Sequence, residues 1–210
     1  MTPAFDPIAP HPDGVDAADE LIHERVYVVR AYRRGDDELV LRGAVRDQKP
    51  PGLYITDDTE PLTVHHMVVD LTIAAPSLEI TEAKVVLEVH PYPSCTRIED
   101  HYGKLVGLSI ARGFTHKVRE LFGGPRGCTH TTALLQAMGP VAIQSMWSFR
   151  MAQMPGDGHD SAFESPEAHE GALMANLNSC HVWAEDGEHV AAIRGGKPVD
   201  MPLWLSKRPS

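Results

Sequence analysis

The sequence predicts an α+β domain, an antiparallel sheet with helices packed on one face. Three observations carry that prediction. Segments dense in β-branched and aromatic residues crowd the stretch 25–89. They are joined by short connections, which suit antiparallel neighbours. Beyond them the apolar spacing changes to the helical period. Strands first and helices afterwards is the segregated order of an α+β fold.

RVYVVRAY (25–32) and LVLRGAVRD (39–47), separated by the turn RRGDDE, read as a hairpin. KPPGLYITDDTEP (49–61) is a loop punctuated by Pro50, Pro51 and Gly52. LTVHHMVVDLTI (62–73) alternates: His65, Met67, Val69, Leu71 and Ile73 share one face, and Val64, His66, Val68 and Asp70 the other. LEITEAKVVLEV (78–89) is the fourth strand. A short helix is expected over 97–106, and a second over 114–122, where Phe114, Val118, Leu121 and Phe122 fall at helical spacing. GGPRG (123–127) breaks the pattern, and a long helix runs from Thr129 to about Met151, with Gly139–Pro140 expected to kink or interrupt it. CHVWAEDGEHVAAI (180–193) reads as strand, turn at Asp186–Gly187, and strand. The organisation expected is an N-terminal arm (1–20), a main α+β domain (21–153), an acidic linker (154–178) free of Lys and Arg, and C-terminal strands (179–210) completing the same domain.

Apolar residues make up 42% of the 210 and charged residues 23%, an ordinary globular composition. A net charge of −10 without a basic stripe argues against nucleic acid as the main partner. No apolar run reaches the roughly 20 residues of a membrane span, and the first residues lack the basic start and apolar core of a secretory signal. The expected location is therefore the cytoplasm, where the three cysteines stay reduced as free, metal-bound or catalytic thiols.

Cys128 stands out among them. It follows a glycine-rich break at the expected start of the long helix, where free N–H groups and the helix dipole stabilise a thiolate. His130 lies two residues on and can share its surroundings. Cys95 follows a proline turn at a strand end, and Cys180 precedes His181. Taken singly, Cys128 is equally well a small buried residue, and Cys95 and Cys180 read as buried apolar thiols rather than ligands. Together Cys95, Cys128, His130 and Cys180 would supply a Cys₃His set for zinc, iron or an iron–sulfur cluster. His65 and His66 point to opposite faces of their strand, and one of them can join the site as a base. Arg97 and Arg126 flank the cysteine regions and are candidates for holding a carboxylate or phosphate of a substrate.

The order of DLTI (70–73), PYPSC (91–95), KLVGLSIARGF (104–114), GGPRGCTH (123–130) and SCHVWAEDG (179–187) resembles the bacterial family known as domain of unknown function 2889. That resemblance implies the domain and no reaction. The layout of Cys95 after a sheet and Cys128 at the start of a long helix is also similar to U-type iron–sulfur scaffold proteins, which implies a cluster or zinc on thiolates. The leading expectation is a small metal- or cysteine-dependent enzyme of lyase or hydrolase type. It would act on a small carbonyl-bearing molecule through Cys128, His130 and His65 or His66. A metal or iron–sulfur carrier using the same residues is the rival, and a structural domain without catalysis the third reading. A homo-oligomer is compatible with all three.

Overall fold

The computed structural model describes residues 20–75, 77–111, 113–154 and 166–197. The N-terminal arm, Glu20 apart, and residues 155–165 of the acidic linker lie outside them. The chain divides into two compact units, 1–149 and 150–210.

In the first unit, strands β1 (Glu24–Arg34), β2 (Glu38–Lys49), β3 (Leu62–Ala74) and β4 (Glu79–Val89) form one antiparallel sheet in the order β1-β2-β3-β4. Each strand pairs with its neighbour in sequence, as short connections dictate. Alternation decides the faces. Leu39, Leu41 and Val45 of β2 are buried in line with Met67, Val69, Leu71 and Ile73 of β3 and Val85 and Leu87 of β4. The residues between them are half-buried or exposed, apart from Thr72, which is buried.

After β4 the chain runs through 3-10 turns (Cys95–Leu105), not the α-helix expected there. It then pairs briefly alongside β4: Ile80 N–H donates to the Leu108 carbonyl (2.9 Å) and Gly107 N–H to the Ile80 carbonyl (2.8 Å). Two helices complete the layer, α1 (Phe114–Phe122) and α2 (Thr129–Met151). Tyr102, Leu105, Phe114, Val118, Phe122, Leu134, Leu135 and Met138 close the core against the inner face of the sheet.

Gly43 sets how closely α2 approaches. A β-carbon there would lie 2.7 Å from Met138 Sδ and 3.1 Å from Leu134 Cδ1. Only the absence of a side chain lets the helix settle at this depth. Helix α2 runs through Pro140 without the interruption that was one of the two outcomes expected there. Met138 and Ala142 on either side are fully buried. Tertiary packing therefore holds the turn that has lost one N–H.

The second unit carries α3 (Pro166–Asn176), a 3-10 turn at His181–Trp183, and α4 (Glu188–Arg194). The strands expected over 180–193 are therefore helical. Gly187 is the residue before α4 rather than a hairpin turn, and Glu188 sits in the first turn, where a carboxylate favours the helix dipole. Ala191 and Ala192 are strong helix formers, and they decide the contest. No described helix is long and apolar enough to cross a membrane.

Candidate functional site

The inner face of the sheet carries one row that breaks the apolar pattern. Arg25 on β1 stands opposite Asp47 on β2, and Asp47 opposite His65 on β3. The next row, Tyr27, Val45 and Met67, already belongs to the core side. The register shifts after Asp47 in one pair and after His66 in the other. Such bulges re-aim side chains at sheet ends. Asp47 continues the apolar series Leu39, Leu41, Val45 and is only 2% exposed. A buried carboxylate needs strong partners.

Helix α2 brings the fourth group. His130, Leu134, Met138 and Ala142 share one stripe of the helix, four residues apart. Leu134 and Met138 meet the sheet at Gly43, and one turn earlier His130 lands over Asp47. The helix begins where it does because α1 and α2 are tied together. The backbone of Gly127 passes so close to α1 that a β-carbon would lie 2.5 Å from the Phe122 carbonyl oxygen. That oxygen accepts the Thr132 hydroxyl (3.1 Å). Cys128 is the residue before the first helical turn, and its carbonyl accepts Thr132 N–H (2.9 Å). Its own N–H donates to the Tyr102 hydroxyl at 2.8 Å.

Four side chains converge on the Asp47 carboxylate. Arg25 donates from Nε to Oδ1 (2.5 Å) and from Nη2 to Oδ2 (2.7 Å). His130 Nε2 lies 3.1 Å from Oδ2, and His65 Nδ1 lies 3.3 Å from the same oxygen. His23 Nε2 is 3.7 Å from Oδ1 and is the most open of the set. The two imidazoles stack with centroids 3.9 Å apart. His65 Nδ1 is buried and, at 3.3 Å from Oδ2, has no hydrogen bond of good geometry. On its far side His130 presents Nδ1 to Cys128 Sγ at 3.7 Å.

The charges favour a neutral pair of histidines beside an ionised carboxylate. Burial pulls the Asp47 carboxyl up, but the two Arg25 hydrogen bonds and the Arg25 charge outweigh it and leave the group below its ordinary value. Burial lowers His65, and the neighbouring His130 lowers it further. Burial also lowers His130; Asp47 pulls it back up, the Arg25 charge pushes it down, and the net shift is downward. A neutral imidazole is the form that binds metals.

Asp47, His65 and His130 each offer a ligand atom, all within 4.8 Å of one another, and they are the one such group of three or more among the described residues. Zinc held at about 2.0–2.1 Å in a tetrahedron places its ligand atoms roughly 3.3 Å apart. The 3.1 and 3.3 Å separations measured to Oδ2 match that spacing. Arg25 uses one lone pair on each carboxylate oxygen, which leaves Oδ2 a lone pair for an ion. Two histidines and one carboxylate are a donor set for zinc or non-haem iron, with positions open for water or substrate.

The residues singled out in the sequence separate. Cys128 and His130 lie together at the start of the longest helix, and His65 joins them. His66 points the other way and pairs with Glu88 on the opposite face (2.9 Å). Cys95 packs against the core and is no member of the gathered ligand group. Cys180 is exposed on the second unit. The Cys₃His set is thus not the one the first unit assembles, and the iron–sulfur layout finds no thiolate cluster there. Arg97 is exposed, and Arg126 spends Nη2 on the Arg119 carbonyl at the end of α1 (3.2 Å). The arginine at the site is Arg25. Asp47 and Arg25 are absent from the sequence-derived set, although one signal was available. Asp47 and His65 are polar residues at core-parity positions of two adjacent strands.

Residues 23–144, which contain the whole row and His130, match the family described as "Protein of unknown function (DUF2889)". No curated protein and no solved structure matches the chain.

Proposed function

We propose, for a chain that belongs to the DUF2889 family and takes no named activity from it, that Asp47, His65 and His130 hold a divalent metal ion, zinc or iron, and that the protein is a metal-dependent enzyme of lyase or hydrolase type acting on a small carbonyl-bearing molecule. One observation carries the reading. Two imidazoles that burial keeps neutral aim different ring nitrogens at the same carboxylate oxygen, and one of those nitrogens is buried without a hydrogen bond. An ion supplies the missing partner. Arg25 fixes the carboxylate, as an outer partner of a metal ligand does. With Nε2 of His130 on the ion, its Nδ1–H faces Cys128 Sγ, which holds the ring in that tautomer. The ion would polarise a carbonyl or lower the pKa of a bound water toward neutrality. A cluster of iron and sulfide is a poor fit, because it requires thiolates where this site offers nitrogen and oxygen.

The test is elemental analysis of protein purified without chelator or histidine tag, followed by zinc and iron titration of the metal-free form. Stoichiometric metal is expected, with loss in Asp47→Asn, His65→Ala and His130→Ala and retention in Cys95→Ala and Cys180→Ala. A wild-type chain that takes up neither metal refutes the reading.

A second reading rests on the run Cys128 Sγ, His130 Nδ1, His130 Nε2, Asp47 Oδ2, with gaps of 3.7 and 3.1 Å. That order is nucleophile, base and orienting carboxylate. It predicts a metal-free protein whose Cys128 alkylates quickly with iodoacetamide and slows in His130→Gln.

A further inference from the structure

The second face of the sheet has a pattern that the metal site does not use. Val28, Ala44, Val68 and Val86 stand opposite one another across all four strands. They form a continuous half-buried apolar row on the face turned away from the core. An antiparallel sheet with one solvated face ordinarily puts polar residues there. Around that row the charge is divided. On β1 and β2 the outward positions include Arg30, Arg34, Arg42 and Arg46 against two acids, Glu24 and Glu38. On β3 and β4 they include Asp70, Glu82 and Glu88 against the single cation Lys84.

Some of this charge is already paired within the chain: Arg42 with Asp70 (2.6 and 2.7 Å), Arg34 with Glu38 (3.5 Å) and His66 with Glu88 (2.9 Å). The Arg42 and Glu88 side chains are still 61% and 49% exposed, so both can take a second partner. Two open depressions of about 390 and 400 Å³ lie on this face and share Arg42, Asp70 and Lys84.

We propose that this face is the contact between two copies of the chain, stacked sheet on sheet about a two-fold axis that runs parallel to the strands. The axis follows from the charges. Rotation about a line along the strands carries β1 of one copy over β4 of the other and leaves position along the strands unchanged. The apolar row then meets itself, and the basic β1–β2 half meets the acidic β3–β4 half twice. A two-fold axis across the strands would set arginine over arginine. Stacked sheets sit about 10 Å apart with strands turned by roughly 30°. That rotation moves Arg30 along the strand off Lys84, and Glu82, one row on, is the acid within its reach. Such a self-complementary patch is what a two-fold dimer requires. The proposal does not depend on the metal site, which lies on the other face.

Sedimentation equilibrium of the full chain tests it. The wild type is expected to be a dimer that weakens as salt rises, since charge orders the contact. Val68→Glu, in the middle of the row, is expected to give a monomer with an unchanged far-ultraviolet spectrum. Arg30→Glu and Glu82→Arg should each weaken association about tenfold or more, and the double exchange should restore it. A wild-type chain that is monomeric throughout, whether the face is bare or covered by residues 1–19, overturns the proposal. A dimer that survives Val68→Glu overturns it equally, and places the contact elsewhere, such as the free edge of β1.

Discussion

Replacing Gly43 by alanine tests whether packing in the core governs the geometry of the site. The added methyl would lie 2.7 Å from Met138 Sδ, 3.1 Å from Met138 Cγ and 3.1 Å from Leu134 Cδ1. Both neighbours are 0% exposed, so neither can swing into water. Two effects compete. Alanine in a strand gains about 0.5–1 kcal/mol over glycine from the unfolded chain. Forcing a methyl into a filled core costs about 1–3 kcal/mol. The methionine tail is flexible and absorbs part of the strain, which puts the net loss near 1 kcal/mol. The helix must also lift slightly, and His130 lies one turn from Leu134, so zinc affinity should fall several-fold. The assay is urea unfolding at constant slope, paired with competitive zinc titration. A double-mutant cycle with Met138→Ala should show a coupling of about 1 kcal/mol, since the new methyl then enters vacated space. A Gly43→Ala protein as stable as the wild type or more so, with unchanged metal affinity, would refute the reasoning.

Acid should destabilise the metal-free chain. Folding lowers the pKa of His65 and His130, so the unfolded chain binds more protons and stability rises with pH. The contribution is whole above the free histidine value of about 6.5 and is lost as pH falls below it; Asp47, also lowered, adds its loss only below about 4. A urea midpoint at about pH 5.5 no lower than at about pH 7.5 would contradict this. Tyr102→Phe removes the acceptor of Cys128 N–H in a position 1% exposed, and should cost about 1–3 kcal/mol in the same assay. Cys128→Ser should melt close to the wild type, because a hydroxyl at this position can cap the free N–H groups of α2. A large drop in melting temperature would instead mark the thiol as a core group.

Most of the first unit was legible because its segments follow one period throughout. The alternation of β3 and the spacing of α1 and α2 each have a single reading, and the structure starts both helices at Phe114 and Thr129 as expected. The segment 180–193 was not, because Val and Trp argue for strand while two alanines and Glu188 argue for helix, and Asp-Gly suits a hairpin as well as the entry to a helix. The site was half legible. Cys128 and His130 are neighbours in sequence, so their meeting needs only the helix start. Cys95 and Cys180 were grouped with them on chemistry alone, and chemistry does not say where a residue lands. Asp47 was missed because a carboxylate at a strand end reads as solvated. Its burial depends on Arg25 and on a helix that arrives much later in the chain.

That late arrival has a consequence for the order of assembly. Every pairing in the sheet joins strands adjacent in sequence, so the sheet can close hairpin by hairpin, and Asp47 meets His65 when β2 pairs with β3. His130 completes the trio only when α2 docks. An ion that needed all three ligands would therefore act as a latch on helix docking and leave hairpin closure untouched. At a free concentration about 100 times its dissociation constant it would hold the latch with roughly 2.7 kcal/mol. Amide exchange should then slow along α2 when the ion is added and change least in β4, which supplies no ligand. A chelator would then be a reagent that frees the helix while sparing the sheet.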